Sequence, residues 1–113
     1  MSGLNFTHIK GDTFNQVAFE LKIDTVAVNL TGAVIKMQLR KNANDVTPAL
    51  SLTSVSSAGI TITAPTLGQF KINEQIIDIP VDTYQYDIQI TFSSGIVKTY
   101  IAGSFNITPE ITR

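Results

Sequence analysis

A chain of 113 residues and 12.3 kDa has the length of one domain, and hydrophobic residues at 43% with a mean hydropathy of +0.18 exclude intrinsic disorder. Lys plus Arg (8) against Asp plus Glu (9) leaves a net charge of −1, without the basic excess that phosphate recognition needs, so nucleic acid is not an expected partner. Cysteine is absent, which removes disulfides, thiolate metal sites and a cysteine nucleophile together.

Nor does any run approach the roughly 18 uninterrupted apolar residues of a membrane span, so membrane insertion is not expected. The start, Met1-Ser2-Gly3-Leu4-Asn5, lacks the basic-then-apolar pattern of a secretion signal. Residues 1–113 read as a single domain. Within it, residues 1–10 form an N-terminal arm or edge strand, because Leu4, Phe6 and Ile9 are apolar enough to pair within the chain or with a neighbour.

Period-two alternation then dominates, the mark of half-buried strands. Val17, Phe19, Leu21 and Ile23 form one apolar row with Gln16, Glu20 and Lys22 opposite. Asp24-Thr25 reads as a turn, Val26–Leu30 as a short strand and Thr31-Gly32 as a second turn. Ala33, Ile35, Met37 and Leu39 make the next row, backed by Lys36, Gln38 and Arg40. Turn residues Asn42 to Asp45 break the pattern. Leu50 and Leu52, Ile60 and Ile62, and Phe70 and Ile72 mark three more short strands. Glu74 to Ile79 fits either one helical turn or an irregular strand.

The last third is the clearest. Tyr84, Tyr86, Ile88, Ile90 and Phe92 share a face, with Gln85, Asp87, Gln89 and Thr91 opposite. A two-residue turn at Ser94-Gly95 pairs Phe92 with Val97, Ile90 with Thr99 and Ile88 with Ile101, which puts both apolar rows on one side. Short strands with turn signals every roughly 8–12 residues describe an all-β fold. The expectation is an immunoglobulin-like antiparallel β-sandwich of about 7–9 short strands. Asp82 to Tyr86 sits where such a sandwich carries its tyrosine corner; Tyr86 is the preferred residue and Tyr84 the alternative.

Chemistry-bearing residues are sparse. His8, the single histidine, stands beside Phe6 and Ile9 with no serine or carboxylate at motif spacing. Asn42, Asn44 and Asp45 offer oxygen ligands, but no closing acidic residue follows, so turn chemistry is expected over calcium. No catalytic group, metal or cofactor is expected, and no enzyme. The one surface feature is the outward face of the terminal hairpin, where Gln85, Asp87, Gln89, Lys98 and Tyr100 gather, with Tyr100 opposite Gln89. An outward aromatic among polar groups anchors a protein partner or stacks on a sugar.

Several segments recur in a characteristic order. They are Gly11-Asp12-Thr13-Phe14, then Asn29-Leu30-Thr31-Gly32-Ala33 with Met37-Gln38-Leu39-Arg40, then Tyr84 to Ile90, and finally Gly95 to Ile107. This set resembles small virion proteins of tailed phages and prophages, especially the N-terminal domain of the baseplate upper protein family. The resemblance implies a β-sandwich built into a virion that assembles in the bacterial cytoplasm. It also implies symmetric copies contacting one another and other virion proteins. The receptor-holding segments of that family are not in this sequence, so a tail, baseplate or head accessory component is the expectation. Charged residues at 15%, against an ordinary roughly 25%, suit a subunit packed among neighbours. The alternative is an adhesion module binding host-surface or mucus glycans through Tyr100.

Overall fold

The computed structural model describes residues 2–42 and 44–111. Along the chain run β1 (Ser2–Gly3), β2 (Phe6–Ile9), β3 (Thr13–Phe14), β4 (Val17–Glu20), β5 (Lys22–Ile23), β6 (Val26–Ala27) and β7 (Val34–Arg40). They are followed by β8 (Leu50–Thr53), β9 (Ile60–Ala64), β10 (Gln69–Ile72), β11 (Gln75–Ile76), β12 (Asp82–Thr91) and β13 (Val97–Thr108). Short 3-10 turns cover Val55–Ser57 and Pro65–Leu67. The larger sheet has six strands in the order β1-β13-β12-β7-β8, with β2 also on β13. A three-stranded sheet, β4-β10-β9, lies against it, with the small ladders β3–β11 and β5–β6 at its margins. The chain is an immunoglobulin-like β-sandwich.

Alternation explains the packing. Tyr84, Tyr86, Ile88 and Ile90 of β12 and Ile35, Met37 and Leu39 of β7 all point into one core. They meet Ile60, Phe70 and Ile72 from the smaller sheet, and among the described residues no polar or charged one is buried with them. Each fully buried aliphatic or aromatic side chain contributes roughly 1.5–3 kcal/mol. Phe19 and Phe70, direct partners on β4 and β10, stack with ring centroids 5.0 Å apart.

The N-terminal segment is an intramolecular edge strand. It runs parallel to β13, Ser2 beside Ile101 and Phe6 beside Phe105, with a break at Leu4-Asn5. Three features hold it. Phe6 enters an aromatic cluster with Phe14 (5.8 Å), Tyr86 (5.6 Å) and Phe105 (5.2 Å). Ser104 N–H donates to Asn5 Oδ1 at 3.0 Å, and the Tyr86 hydroxyl donates to Leu4 O. Gly103 lets the segment pass close beside β13, because a methyl there would overlap Leu4 O and stand 3.0 Å from Asn5 Oδ1.

Two local expectations are corrected and one open alternative is resolved. The row Val17 to Ile23 is not one strand: at Leu21 the chain leaves β10, and Leu21 instead bonds Gly68 O and Val28 N–H at 2.9 Å each. Glu74 to Ile79 is irregular strand, with Ile76 outward on β11 and Ile77 buried. In the terminal hairpin, Ile88 does face Ile101, but Ile90 faces Lys98 and Thr91 faces Val97. The reason is a loop one residue longer than the tight turn. Gly95, at φ +92, donates its N–H to Phe92 O, while Phe92 N–H donates to Ile96 O, the geometry of a longer hairpin loop with glycine in the left-handed position. A β-bulge at Tyr100 takes up the extra residue and restores the alternation below it.

Candidate interaction surface

The outward residues of β12 and β7 build a continuous polar face on the six-stranded sheet. Register pairs Gln85 with Arg40, Asp87 with Gln38 and Gln89 with Lys36, and β8 extends these rows with Ser51 and Thr53. Directly opposed residues on one face sit roughly 5 Å apart, so the acidic Asp87 is flanked by glutamines and stands diagonal to Lys36 and Arg40. Arg40 Nη1 donates to Gln38 Oε1 at 2.6 Å and its Nε to Asp45 O at 2.9 Å. Those bonds fix the guanidinium against the sheet. Gln38 Nε2 donates to Ser51 Oγ at 3.4 Å, and Thr83 Oγ1 donates to Asn106 Oδ1 at 3.1 Å on the β13 side. The result is a hydrogen-bonding surface.

Of the residues expected on this face, Gln85, Asp87 and Gln89 are together and the other two are elsewhere. Gln89 lies opposite Thr99, not Tyr100. Tyr100, carried by the bulge, is half-buried and packs edge-on against Phe92 at 6.3 Å and 81°. It is part of the wall of the core. Lys98 shares the side of Ile90 and is exposed beyond the end of the core. Lys36, Gln38 and Arg40 take the vacated places, and their alternation with Ile35, Met37 and Leu39 is the signal that locates them.

The two tyrosines divide the work expected of one. Tyr84 Oη donates to Pro80 O at 2.6 Å, the backward bond of a tyrosine corner. Tyr86, preferred for that role, ties down the N-terminal strand instead, and burial pushes its phenol up to about 12. Beside the corner, Lys41, Asp45, Thr47, Ala49, Pro80 and Tyr84 line a shallow cleft of about 260 Å³. The Thr83 backbone N–H and the Lys41 ammonium (3.3 Å) hold the Asp82 carboxyl below its usual range. Lys10, hydrogen-bonded to Asp78, is correspondingly raised.

His8 and the 42–45 loop are spoken for locally. His8 Nε2 stands 2.9 Å from Asp12 O, its ring edge-on to Phe14 at 5.4 Å. Asn42 and Asp45 bond each other: Asn42 N–H donates to Asp45 Oδ2 at 3.2 Å and Asp45 N–H to Asn42 O at 3.0 Å. Among the described residues, no three His, Asp or Glu side chains converge as a metal site would need.

No family model and no curated protein matches the chain. Among solved structures it is similar to CopC from Methylosinus trichosporium OB3b, at 11% identity and a TM-score of 0.49. That match covers 96% of this chain and 88% of the other. No ligand or role is carried over at that likeness. The class defined by the fold itself is a small immunoglobulin-like β-sandwich whose larger sheet presents a polar face.

Proposed function

We propose that this chain is a structural component of a tailed-phage particle, in the tail, the baseplate or as a head accessory, and that it works by protein–protein contact, without catalysis. One observation carries the reading. All but the first of the segments that give the sequence its resemblance to phage β-sandwiches fold into adjoining parts of one sheet, β7, β12 and β13, with the turns that lead into them, while Gly11 to Phe14 carries β3 of the separate β3–β11 ladder. A shared order of segments scattered over unrelated surfaces would have little meaning. Their gathering in one sheet supports reading that order as one scaffold. The polar outer face and the low charge of the chain fit a subunit seated among neighbours in the virion, with copies of itself or with other virion proteins.

The test is detection of the chain in particles purified from a lysate that carries its gene, by quantitative mass spectrometry. A fixed copy number per particle is expected, in a multiple set by the symmetry of the structure it joins. Particles that lack the chain at the sensitivity of the measurement refute the reading. The glycan-adhesion alternative depended on Tyr100 as an outward stacking platform, and Tyr100 packs against Phe92 instead, so that reading is not carried further.

A further inference from the structure

An open sheet edge presents a row of backbone N–H and C=O groups that a further strand can take up. At three of its edge strands the chain covers part of that row itself. β8 and β9 meet through Thr53, which bridges to Gly59 and donates its N–H to Ala58 O at 2.9 Å, and Ile60 at the start of β9 is fully buried. β2 turns back on itself, with Asp12 N–H donating to Ile9 O at 3.1 Å. β4, the outer strand of the smaller sheet, has no such cover.

Register decides which groups of β4 face outward. Leu21 N–H donates to Gly68 O at 2.9 Å, and the same register pairs Phe19 with Phe70 and Val17 with Ile72. Hydrogen-bonded and non-hydrogen-bonded pairs alternate along an antiparallel ladder, so Val17, Phe19 and Leu21 bond to the β10 side. Ala18 and Glu20 therefore turn their N–H and C=O away from the sheet, and both residues are exposed. Among the described residues neither backbone has a partner. The strand also carries no proline, no bulge against β10 and no inward-pointing charge, the devices that blunt an edge.

This edge is complementary to itself. Val17 and Phe19 lie half-buried at the rim of the core. With Ala18 opposite Ala18 of a second copy, Val17 of each copy falls opposite Phe19 of the other. Theirs is a non-hydrogen-bonded pair, whose side chains stand closest, and it extends the Phe19–Phe70 stack. On the outer side, Ala18 brings only a methyl to the axis. Gln16 continues the edge, since the register that pairs Val17 with Ile72 also pairs Phe14 with Gln75. Glu20 then falls opposite Gln16 of the second copy. Lys71 Nζ donates to Gln16 Oε1 at 3.1 Å, so each carboxylate approaches the ammonium of the other copy. A register with Glu20 opposite Glu20 would instead set like charges together.

We propose that two copies pair antiparallel through β4, about a two-fold axis at Ala18, and join their smaller sheets into one of six strands. The contact is isologous, so it closes at a dimer. It goes beyond the virion reading and does not depend on it: particle composition decides that role, and the experiment below decides the contact.

The full chain is followed by sedimentation from micromolar to millimolar concentration, with hydrogen exchange on the same samples. The native chain is expected to pass from monomer mass to twice that mass and stop there. Exchange at the amides of Ala18 and Glu20 is expected to slow with concentration, while that of Thr7 on β2 stays unchanged. Ala18→Pro removes the central donor at a position whose N–H faces outward, where a free edge tolerates proline. Folded by circular dichroism, it is expected to remain at monomer mass. The chain has no cysteine, so Ala18→Cys gives one thiol per copy. Two such residues face each other across the axis at a Cα separation of about 5.5 Å, within disulfide reach. Mild oxidation is expected to link them into a covalent dimer, and to leave Thr63→Cys, exposed on β9 of the same sheet, monomeric. A native chain that stays monomeric to millimolar concentration overturns the proposal. So does a folded Ala18→Pro protein that still dimerises, a gain in mass without slower exchange at Ala18 and Glu20, or cross-linking no faster at position 18 than at 63.

Discussion

Replacing Gly103 with Ala tests how the N-terminal strand is held. The added methyl overlaps Leu4 O and stands 3.1 Å from Leu4 C and 3.0 Å from Asn5 Oδ1. The backbone at Leu4 is not the free end of a side chain, so the segment itself must retreat. Two hydrogen bonds stretch with it, Tyr86 Oη to Leu4 O and Ser104 N–H to Asn5 Oδ1, each worth about 1 kcal/mol net. Pairing of β1 with Ile101 and Ala102 is weakened at the same point. The expected loss is about 2–3 kcal/mol, within the roughly 1–3 kcal/mol typical of overpacking, and a fall in Tm of about 4 °C for each kcal/mol at this chain length. Thermal unfolding by circular dichroism reads the loss of stability, and hydrogen exchange at the backbone amides of residues 3–5 reads the retreat of the segment. The argument makes a sharper demand as well. Tyr86→Phe acts through the same Leu4 carbonyl, so the double variant must lose less than the sum of the two single ones. Additivity within about 0.5 kcal/mol, or a Gly103→Ala protein with unchanged Tm and unchanged protection, refutes the reasoning.

Tyr84→Phe removes the corner bond to Pro80 O and is expected to lower stability by about 1 kcal/mol without altering exchange at residues 3–5, as denaturant titration with exchange will show. The Tyr86 phenol titrates higher when folded, at about 12 against an unfolded value of 10.0. Its stabilisation is therefore complete below pH 10 and is lost as pH rises towards 12; a pH series of unfolding should decline over that window in the native protein and more shallowly in Tyr86→Phe. Thr25→Gly relieves a left-handed threonine, a gain of roughly 1–2 kcal/mol offset by about 0.5–1 kcal/mol of chain entropy. The variant should melt slightly higher than the native chain, and a lower Tm means that the turn is not strained.

Much of the sandwich is legible in the sequence because alternation is a direct image of burial. Ile35, Met37 and Leu39, and Tyr84, Tyr86, Ile88 and Ile90, are buried as their spacing requires, and their polar neighbours form the outer face. What stays hidden is where the ladder changes partner without a change of composition. Alternation runs smoothly through Leu21, yet there the strand leaves one neighbour for another. Gly95 serves a two-residue or a three-residue loop equally well, and the bulge at Tyr100 has no compositional mark of its own. Those two facts alone moved Tyr100 from the outer face to the core wall. Tyr84 and Tyr86 point the same way, and only the position of Pro80 O and Leu4 O in space distributes their hydroxyl bonds. The apolarity of Leu4, Phe6 and Ile9 announces a strand, whereas its parallel pairing with the far end of the chain is a matter of topology.

That parallel pairing also sets the order in which the molecule is completed during synthesis. The first strands made, β1 and β2, lie against the last one made, β13, and Asn5 meets a partner 99 positions away. β13 is also the neighbour of β12, so until it leaves the ribosome the larger sheet has an open interior edge and Phe6 has no aromatic cluster to enter. Closure of so long a loop is slow, and a nascent chain waiting for it exposes unpaired strand edges to its neighbours on the same message. Translation that stalls before residue 97 therefore leaves an aggregation-prone fragment, not a smaller folded domain.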